Sequence, residues 1–115
     1  MLVIEYPKCT TCKKALKFLE ENKIEYTKRN IVENNPTEKE IKTWINKIEI
    51  KKLFNTSGIK YRELNLKEKL KTMTDEEKIK LLASDGMLVK RPILIDENKV
   101  LVGFKEEEWK KITKK

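Results

Sequence analysis

The segment with the clearest chemistry is Cys9-Thr10-Thr11-Cys12. Two cysteines with this spacing can close a disulfide across one helical turn, and a thiolate is the nucleophile in such chemistry. The placement of the pair assigns the roles. Leu2-Val3-Ile4-Glu5-Tyr6 reads as a short, largely buried strand. Cys12, Ala15, Leu16 and Leu19 then recur at the spacing of one helix face. Cys9 therefore sits at a helix N-terminus, where free N–H groups and the positive end of the helix dipole favour a thiolate. Lys8 and Lys13 add positive charge nearby. Cys12 lies on the apolar stripe, where desolvation disfavours a thiolate. The expected nucleophile is Cys9 and the expected resolving thiol is Cys12. Two plain cysteines, one of them core, are the alternative, as is half of a zinc site shared between two chains. Zinc needs four nitrogen or sulfur ligands, and the chain holds two cysteines and no histidine, so no metal site is expected.

The lack of histidine also removes Ser-His and Cys-His catalysis. Any nucleophile must then be activated by cations, a helix terminus or both. Arg91 is a candidate: it could hold an anion or stabilise the Cys9 thiolate, and a solvated arginine is the plain alternative. Pro92 follows it, and an X-Pro bond permits a cis peptide, although on the dipeptide alone a trans proline that merely opens a strand is the favoured reading.

The remaining elements must position these groups. Residues 24–30 form a second strand candidate, so a parallel βαβ unit is expected. Asn22 is the expected helix end. Thr37 with Glu40, and Thr74 with Glu77, have capping-box spacing. Apolar stripes follow each: Ile41, Trp44, Ile45 and Ile48, then Ile79, Leu82 and Ala83. Gly86 is the expected C-cap. Between these helices lies the loop Leu53-Phe54-Asn55-Thr56-Ser57-Gly58, with a short helix expected over residues 61–64. Asn55, Thr56 and Ser57 supply polar groups for a substrate, or only a surface turn. Ile93-Leu94-Ile95 and Val100-Leu101-Val102 read as an antiparallel hairpin turning over residues 96–99. Residues 105–112 form a last helix, with Glu106–Lys110 and Glu107–Lys111 spaced for i,i+4 pairing.

The 115 residues suit one domain. Net charge is +8, with charged residues at 40%. Acidic residues interleave with the lysines, so a solvated surface is expected rather than sequence-specific nucleic-acid binding. Lys110, Lys111, Lys114 and Lys115 are the one basic cluster. No apolar run approaches the roughly 20 residues of a membrane span, and the N-terminus does not read as a signal peptide. A cytoplasmic location and a reducing compartment are expected.

Taken together, the residues resemble the arsenate reductase/Spx family of thioredoxin-like proteins. The resemblance covers essentially the whole chain. It rests on Tyr6-Pro7-Lys8-Cys9-Thr10-Thr11-Cys12-Lys13-Lys14-Ala15, Arg29-Asn30-Ile31, Pro36-Thr37, the 53–58 loop, Tyr61-Arg62-Glu63-Leu64, Arg91-Pro92-Ile93 and Gly103-Phe104. It implies a thioredoxin-like (glutaredoxin-like) three-layer α/β/α fold. In that fold residues 1–30 and 90–115 form the core, residues 36–86 are a helical insertion before the hairpin, and a cis-proline faces the cysteine loop. In such arsenate reductases one cysteine, at the Cys9 position, attacks arsenate amid three arginines. Only Arg91 matches; the other two positions are Asn55 and Gly103. Two missing cations should weaken oxyanion binding by several kcal/mol, at about 1.5–3 per charged hydrogen bond. Together with the added Cys12, this points to thiol–disulfide exchange. Cys9, Cys12 and Arg91 are then the expected catalytic residues, and Lys8, Thr10, Thr11, Asn55 and Pro92 the expected substrate contacts. No bound cofactor is expected, and glutathione or a thioredoxin is the expected reductant. The substrate would be a protein or small-molecule disulfide. Two other functions are implied by the resemblance: a glutathione- or glutaredoxin-linked arsenate reductase, and an Spx-like redox-sensing regulator that binds the RNA polymerase α subunit.

Overall fold

Three short runs rich in aliphatic and β-branched side chains and one polar run, Thr27–Asn30, pair into a sheet, and the amphipathic runs between them form helices. The computed structural model describes residues 1–97 and 99–113. The elements run β1 (Leu2–Glu5), α1 (Thr10–Glu21), β2 (Thr27–Asn30), α2 (Glu38–Trp44), a 3₁₀ turn (Ile50–Leu53), α3 (Ile59–Glu63), α4 (Leu66–Lys69) and α5 (Asp75–Ser84). A second 3₁₀ turn (Gly86–Leu88), β3 (Ile93–Asp96), β4 (Lys99–Val102) and α6 (Glu106–Thr113) complete the order. Asn98, in the expected hairpin turn, and Lys114 and Lys115, in the basic end, lie outside the described residues. Among the described residues no helix is long and apolar enough to cross a membrane.

The chain divides into two units, Met1–Asn30 with Arg91–Lys115, and Ile31–Lys90. The first holds the whole sheet, in the order β2-β1-β3-β4. β1 pairs with β2 in parallel and with β3 antiparallel, and β3 pairs with β4 antiparallel. The parallel pair needs a crossover, and α1 supplies it. Val3 and Leu94 are register partners. They pack with Ala15, Phe18 and Leu19 of α1 and with Trp109 and Ile112 of α6, so both helices cover the same sheet face.

Asn22 ends α1 as expected. Its side-chain amide donates to the Phe18 carbonyl at 2.8 Å. Lys23 then turns left-handed (φ 56°) and lets the Ile24 N–H reach the Leu19 carbonyl at 2.9 Å. That closure uses the Ile24 donor, so β2 begins only at Thr27, later than the apolar pattern suggests. On α6 the ion pair formed is Lys105–Glu108, at 3.8 Å, rather than the i,i+4 pairs expected from spacing.

The second unit is helical. Both capping boxes form: Thr37 with Glu40, and Thr74 with Glu77, each exchanging two hydrogen bonds. Ile41 and Trp44 of α2 and Ile79 and Leu82 of α5 are buried, as their stripes require. α3 starts two residues before the expected short helix, and α4, with buried Leu66, was not signalled by any cap or long stripe. Gly86 does not cap α5. The C-cap is Asp85, in extended backbone, and Gly86 opens the following 3₁₀ turn. Its small size has another cause: a Cβ there would lie 2.2 Å from the Ile31 carbonyl oxygen. Asp85 accepts from the Met87 N–H at 2.8 Å and from Lys60 at 2.7 Å. Phe54 and Val89 form an antiparallel bridge.

Candidate functional site

The strand-to-helix turn builds the site. The Cys9 N–H donates to the Tyr6 carbonyl at 2.9 Å, closing a four-residue turn with Pro7 at its second position. Cys9 is the N-cap of α1, with non-helical backbone (φ −86°, ψ 119°). Its Sγ accepts from the Cys12 N–H at 3.4 Å. Sulfur thus fills the place usually taken by a Ser or Asp oxygen. A thiolate accepts better than a thiol, so the cap itself favours ionisation.

Both cysteines are free, Cys9 half-buried and Cys12 only 1% exposed. Partial burial opposes the Cys9 thiolate. Hydrogen bonds from the Cys12 thiol and backbone, then the charge and hydrogen bond of Arg91, outweigh it and hold Cys9 below the ordinary thiol range. For Cys12 the dominant cause is burial, which overcomes a hydrogen bond from the Tyr6 backbone. The Cys9 and Glu5 charges add to it, and the thiol is pushed up to about 12. The two thiols thus differ in direction, Cys9 shifted down and Cys12 up.

Arg91 reaches this turn from the residue before the buried Pro92. The Arg91-Pro92 bond is cis. The guanidinium carbon lies 5.1 Å from the centre of the Tyr6 ring, within cation–π range. Its Nε and Nη1 are buried and have no hydrogen-bond partner among the described residues. The Pro92 carbonyl accepts from the Gly103 N–H at 2.8 Å. Gly103 has φ 80°, a left-handed conformation in which an arginine would be strained. Removing Arg91 takes away one cation and one donor from the Cys9 sulfur. Arg91→Ala should raise the Cys9 titration midpoint and slow its alkylation at pH 7 by roughly fivefold, the effect of ~1 kcal/mol in a partly solvated contact. An unchanged midpoint in a rate–pH titration would show that Arg91 does not act on the sulfur.

Lys8, Thr10, Thr11 and Lys13 are exposed around the pair. Asn55 belongs to the other unit. There its backbone N–H donates to Leu88 at 2.8 Å, its side-chain amide to the Met87 carbonyl at 3.5 Å, and its Oδ1 accepts from Ser57 at 3.3 Å. These bonds hold the 53–58 loop on the second 3₁₀ turn. Two residues of the site escaped the sequence reading. Tyr6, read as strand and as part of the resemblance but given no role, stacks its ring on Arg91, and its backbone N–H donates to Cys12. Glu5 is a buried carboxyl. Its signal was available, since a glutamate ends an otherwise apolar strand.

The sequence profile of the ArsC family matches residues 4–112. The chain belongs to the ArsC family. Protein YusI of Bacillus subtilis is 55% identical over 106 residues, 90% of each chain. Global transcriptional regulator Spx 2 of Bacillus anthracis is 33% identical over 105 residues, 90% of this chain and 79% of that one. The crystal structure of an ArsC-family-related protein from Bacteroides fragilis superposes with a TM-score of 0.93 at 57% identity, covering 96% of this chain and 95% of that one. This ArsC-family chain thus has a thioredoxin-like fold, with its C-x-x-C pair at the N-terminus of α1. Its cysteine loop carries two thiols, Cys9 and Cys12, both free.

Proposed function

We propose that the protein is a thiol–disulfide oxidoreductase of the ArsC family. One observation carries this reading: the Cys9 sulfur caps α1 and accepts from the Cys12 N–H at 3.4 Å, with Cys12 buried one turn below. The Cys9 thiolate attacks one sulfur of a substrate disulfide. A Cys9–substrate disulfide forms and the other sulfur leaves as a thiolate. The Cys12 thiolate then attacks the Cys9 sulfur, the second substrate sulfur leaves, and the Cys9–Cys12 disulfide forms. The substrate has gained two electrons and the protein has lost two. Glutathione or a thioredoxin dithiol restores the pair, and the reducing cytoplasm suits that cycle. Arg91 stabilises sulfur anions through these steps, Pro92 shapes the substrate face, and Lys8, Thr10 and Thr11 contribute polar contacts. Arsenate turnover is expected to be slight, because Asn55 and Gly103 offer no cation.

Cys12→Ser keeps the nucleophile and removes the resolving thiol. It should accumulate Cys9 mixed disulfides, visible by mass spectrometry of protein recovered from lysate, while wild type accumulates none. Wild type treated with oxidant should lose 2 Da per chain by closing Cys9 to Cys12. Failure of this cross-link would refute the mechanism.

The likeness to Spx 2 favours a second reading, a redox-sensing regulator whose partner is the RNA polymerase α subunit. It requires a complex that forms without turnover and responds to oxidation. Purified α subunit passed over reduced and oxidised protein separates the two readings: retention in one redox state supports the regulator, and no retention in either removes it.

A further inference from the structure

The Arg91 side chain is half-buried, and its shielded Nε and Nη1 have no hydrogen-bond partner among the described residues. No carboxylate pairs with it among those residues either. Such a guanidinium swings into water unless something else fixes it, because unpartnered N–H groups are better solvated there. The contact that fixes it is aromatic. The guanidinium carbon lies 5.1 Å from the centre of the Tyr6 ring, inside the range of a cation–π contact. Strand register explains the meeting. In the β1–β3 pair Leu2 faces Ile95, Val3 faces Leu94 and Ile4 faces Ile93. The same register carried two residues further sets Tyr6 opposite Arg91, and directly opposite residues on antiparallel strands bring their side chains together. Tyr6 is also one end of the turn that carries the nucleophile, since its carbonyl accepts from the Cys9 N–H at 2.9 Å. One residue thus meets Arg91 with its ring and Cys9 with its backbone.

We infer that Tyr6 is the positioning residue for Arg91, its ring holding the guanidinium at the Cys9 turn. The inference rests on the thiol–disulfide reading above and names what prepares its nucleophile. The choice of partner has a physical reason. A carboxylate would hold the guanidinium as well, but its charge would cancel the positive field at the sulfur. A ring face attracts the cation through its quadrupole and carries no net charge, so the full positive charge remains for a thiolate. The other groups around Cys9 do not duplicate this. Cys12 on α1 supplies a backbone N–H to the sulfur. Lys8 and Lys13 are exposed at the turn, where salt and solvent screen them. The Glu5 charge on β1 bears on Cys12. Tyr6 acts through Arg91 and transfers no proton itself.

The test is the rate of Cys9 alkylation by iodoacetamide across pH, with the label located by peptide mapping. Tyr6→Leu should raise the Cys9 midpoint and slow labelling at pH 7 about threefold, in keeping with a cation–π contact at a partly exposed site. Tyr6→Phe keeps the ring face and should restore wild-type rates. The double variant Tyr6→Leu with Arg91→Ala should be no slower than Arg91→Ala alone, because a positioning residue then has nothing left to position. Multiplied effects in the double variant overturn the inference. So does an unmoved midpoint in Tyr6→Leu, or a Tyr6→Phe as slow as Tyr6→Leu. Should Tyr6→Leu fail to fold, Tyr6→Phe carrying increasing numbers of ring fluorines keeps the shape and weakens the ring face. Labelling should slow stepwise with fluorination, and a flat series overturns the inference. Reaction of wild type with 5,5′-dithiobis(2-nitrobenzoate) tests the parent reading separately. If Cys9 releases no coloured thiolate, the thiol–disulfide reading fails, while the alkylation series still decides whether Tyr6 acts on Cys9 through Arg91.

Discussion

At pH 7, iodoacetamide should modify Cys9 about 100-fold faster than Cys12. A thiol at or below the ordinary value of about 8.5 is at least ~3% thiolate there, whereas one near 12 is ionised to about one part in 10⁵. The ratio of reactive forms is about 3,000. The more basic Cys12 thiolate is intrinsically the better nucleophile, and a Brønsted sensitivity of about 0.4–0.5 returns roughly 30-fold. What remains is about 100-fold, and the 1% exposure of Cys12 can only widen it. The sign with pH follows from the shifts. Cys9 labelling should level off as pH passes its lowered midpoint, while Cys12 labelling should still be rising in the alkaline range. Peptide mapping after timed quenching reads both rates. Equal labelling would leave no physical ground for naming Cys9 the nucleophile.

Trp109→Ala should cost about 3–5 kcal/mol of stability, the usual range for emptying a large aromatic site. Trp109 is 0% exposed and lies in the core shared by α1, α6 and the sheet. Its ring meets Phe104 edge-on at 5.0 Å, and its indole N–H donates to the Gly103 carbonyl at 3.1 Å. Gly103 in turn holds the Pro92 carbonyl, so the same side chain braces the segment that carries Arg91. Trp109→Phe keeps most of the apolar area but leaves that buried carbonyl unpaired, and should cost about 1–3 kcal/mol. Urea titration would show both as lower midpoints with unchanged slope. A midpoint for Trp109→Ala within error of wild type would mean that α6 does not anchor the sheet.

Much of this was legible in the chain alone. The apolar runs of β1, β3 and β4, and the stripes of α1, α2 and α5, are local patterns whose period equals that of the element formed. The capping boxes were legible because a cap is a contact between residues three apart, Thr37 with Glu40 and Thr74 with Glu77. The cysteine pair was legible for the same reason: a strand, a turn and a helix start are all local, and together they set Cys9 on the cap and Cys12 on the buried stripe.

Other features depended on contacts between distant residues. Gly86 read as a helix end, but what restricts it is the Ile31 carbonyl, 55 positions earlier in the chain, and no local pattern records that distance. β2 began late because the Lys23 turn consumed a donor that the apolar pattern could not register. α4 is a single turn, too short to show a period. Arg91 was a candidate from its type and from the family resemblance; its place over the Tyr6 ring and beside the Cys9 sulfur arises from β3 pairing with β1. Glu5 shows the division most clearly. Its type and its position in an apolar strand are written in the sequence, but its burial and its unpartnered Oε2 exist only once the chain has folded. The sequence by itself thus determined the C-x-x-C pair, its place at a helix start and the elements that flank it. The tertiary structure decided which charges reach each sulfur, because the burial and charge contacts that set a thiol's ionisation are made by residues far apart in the chain.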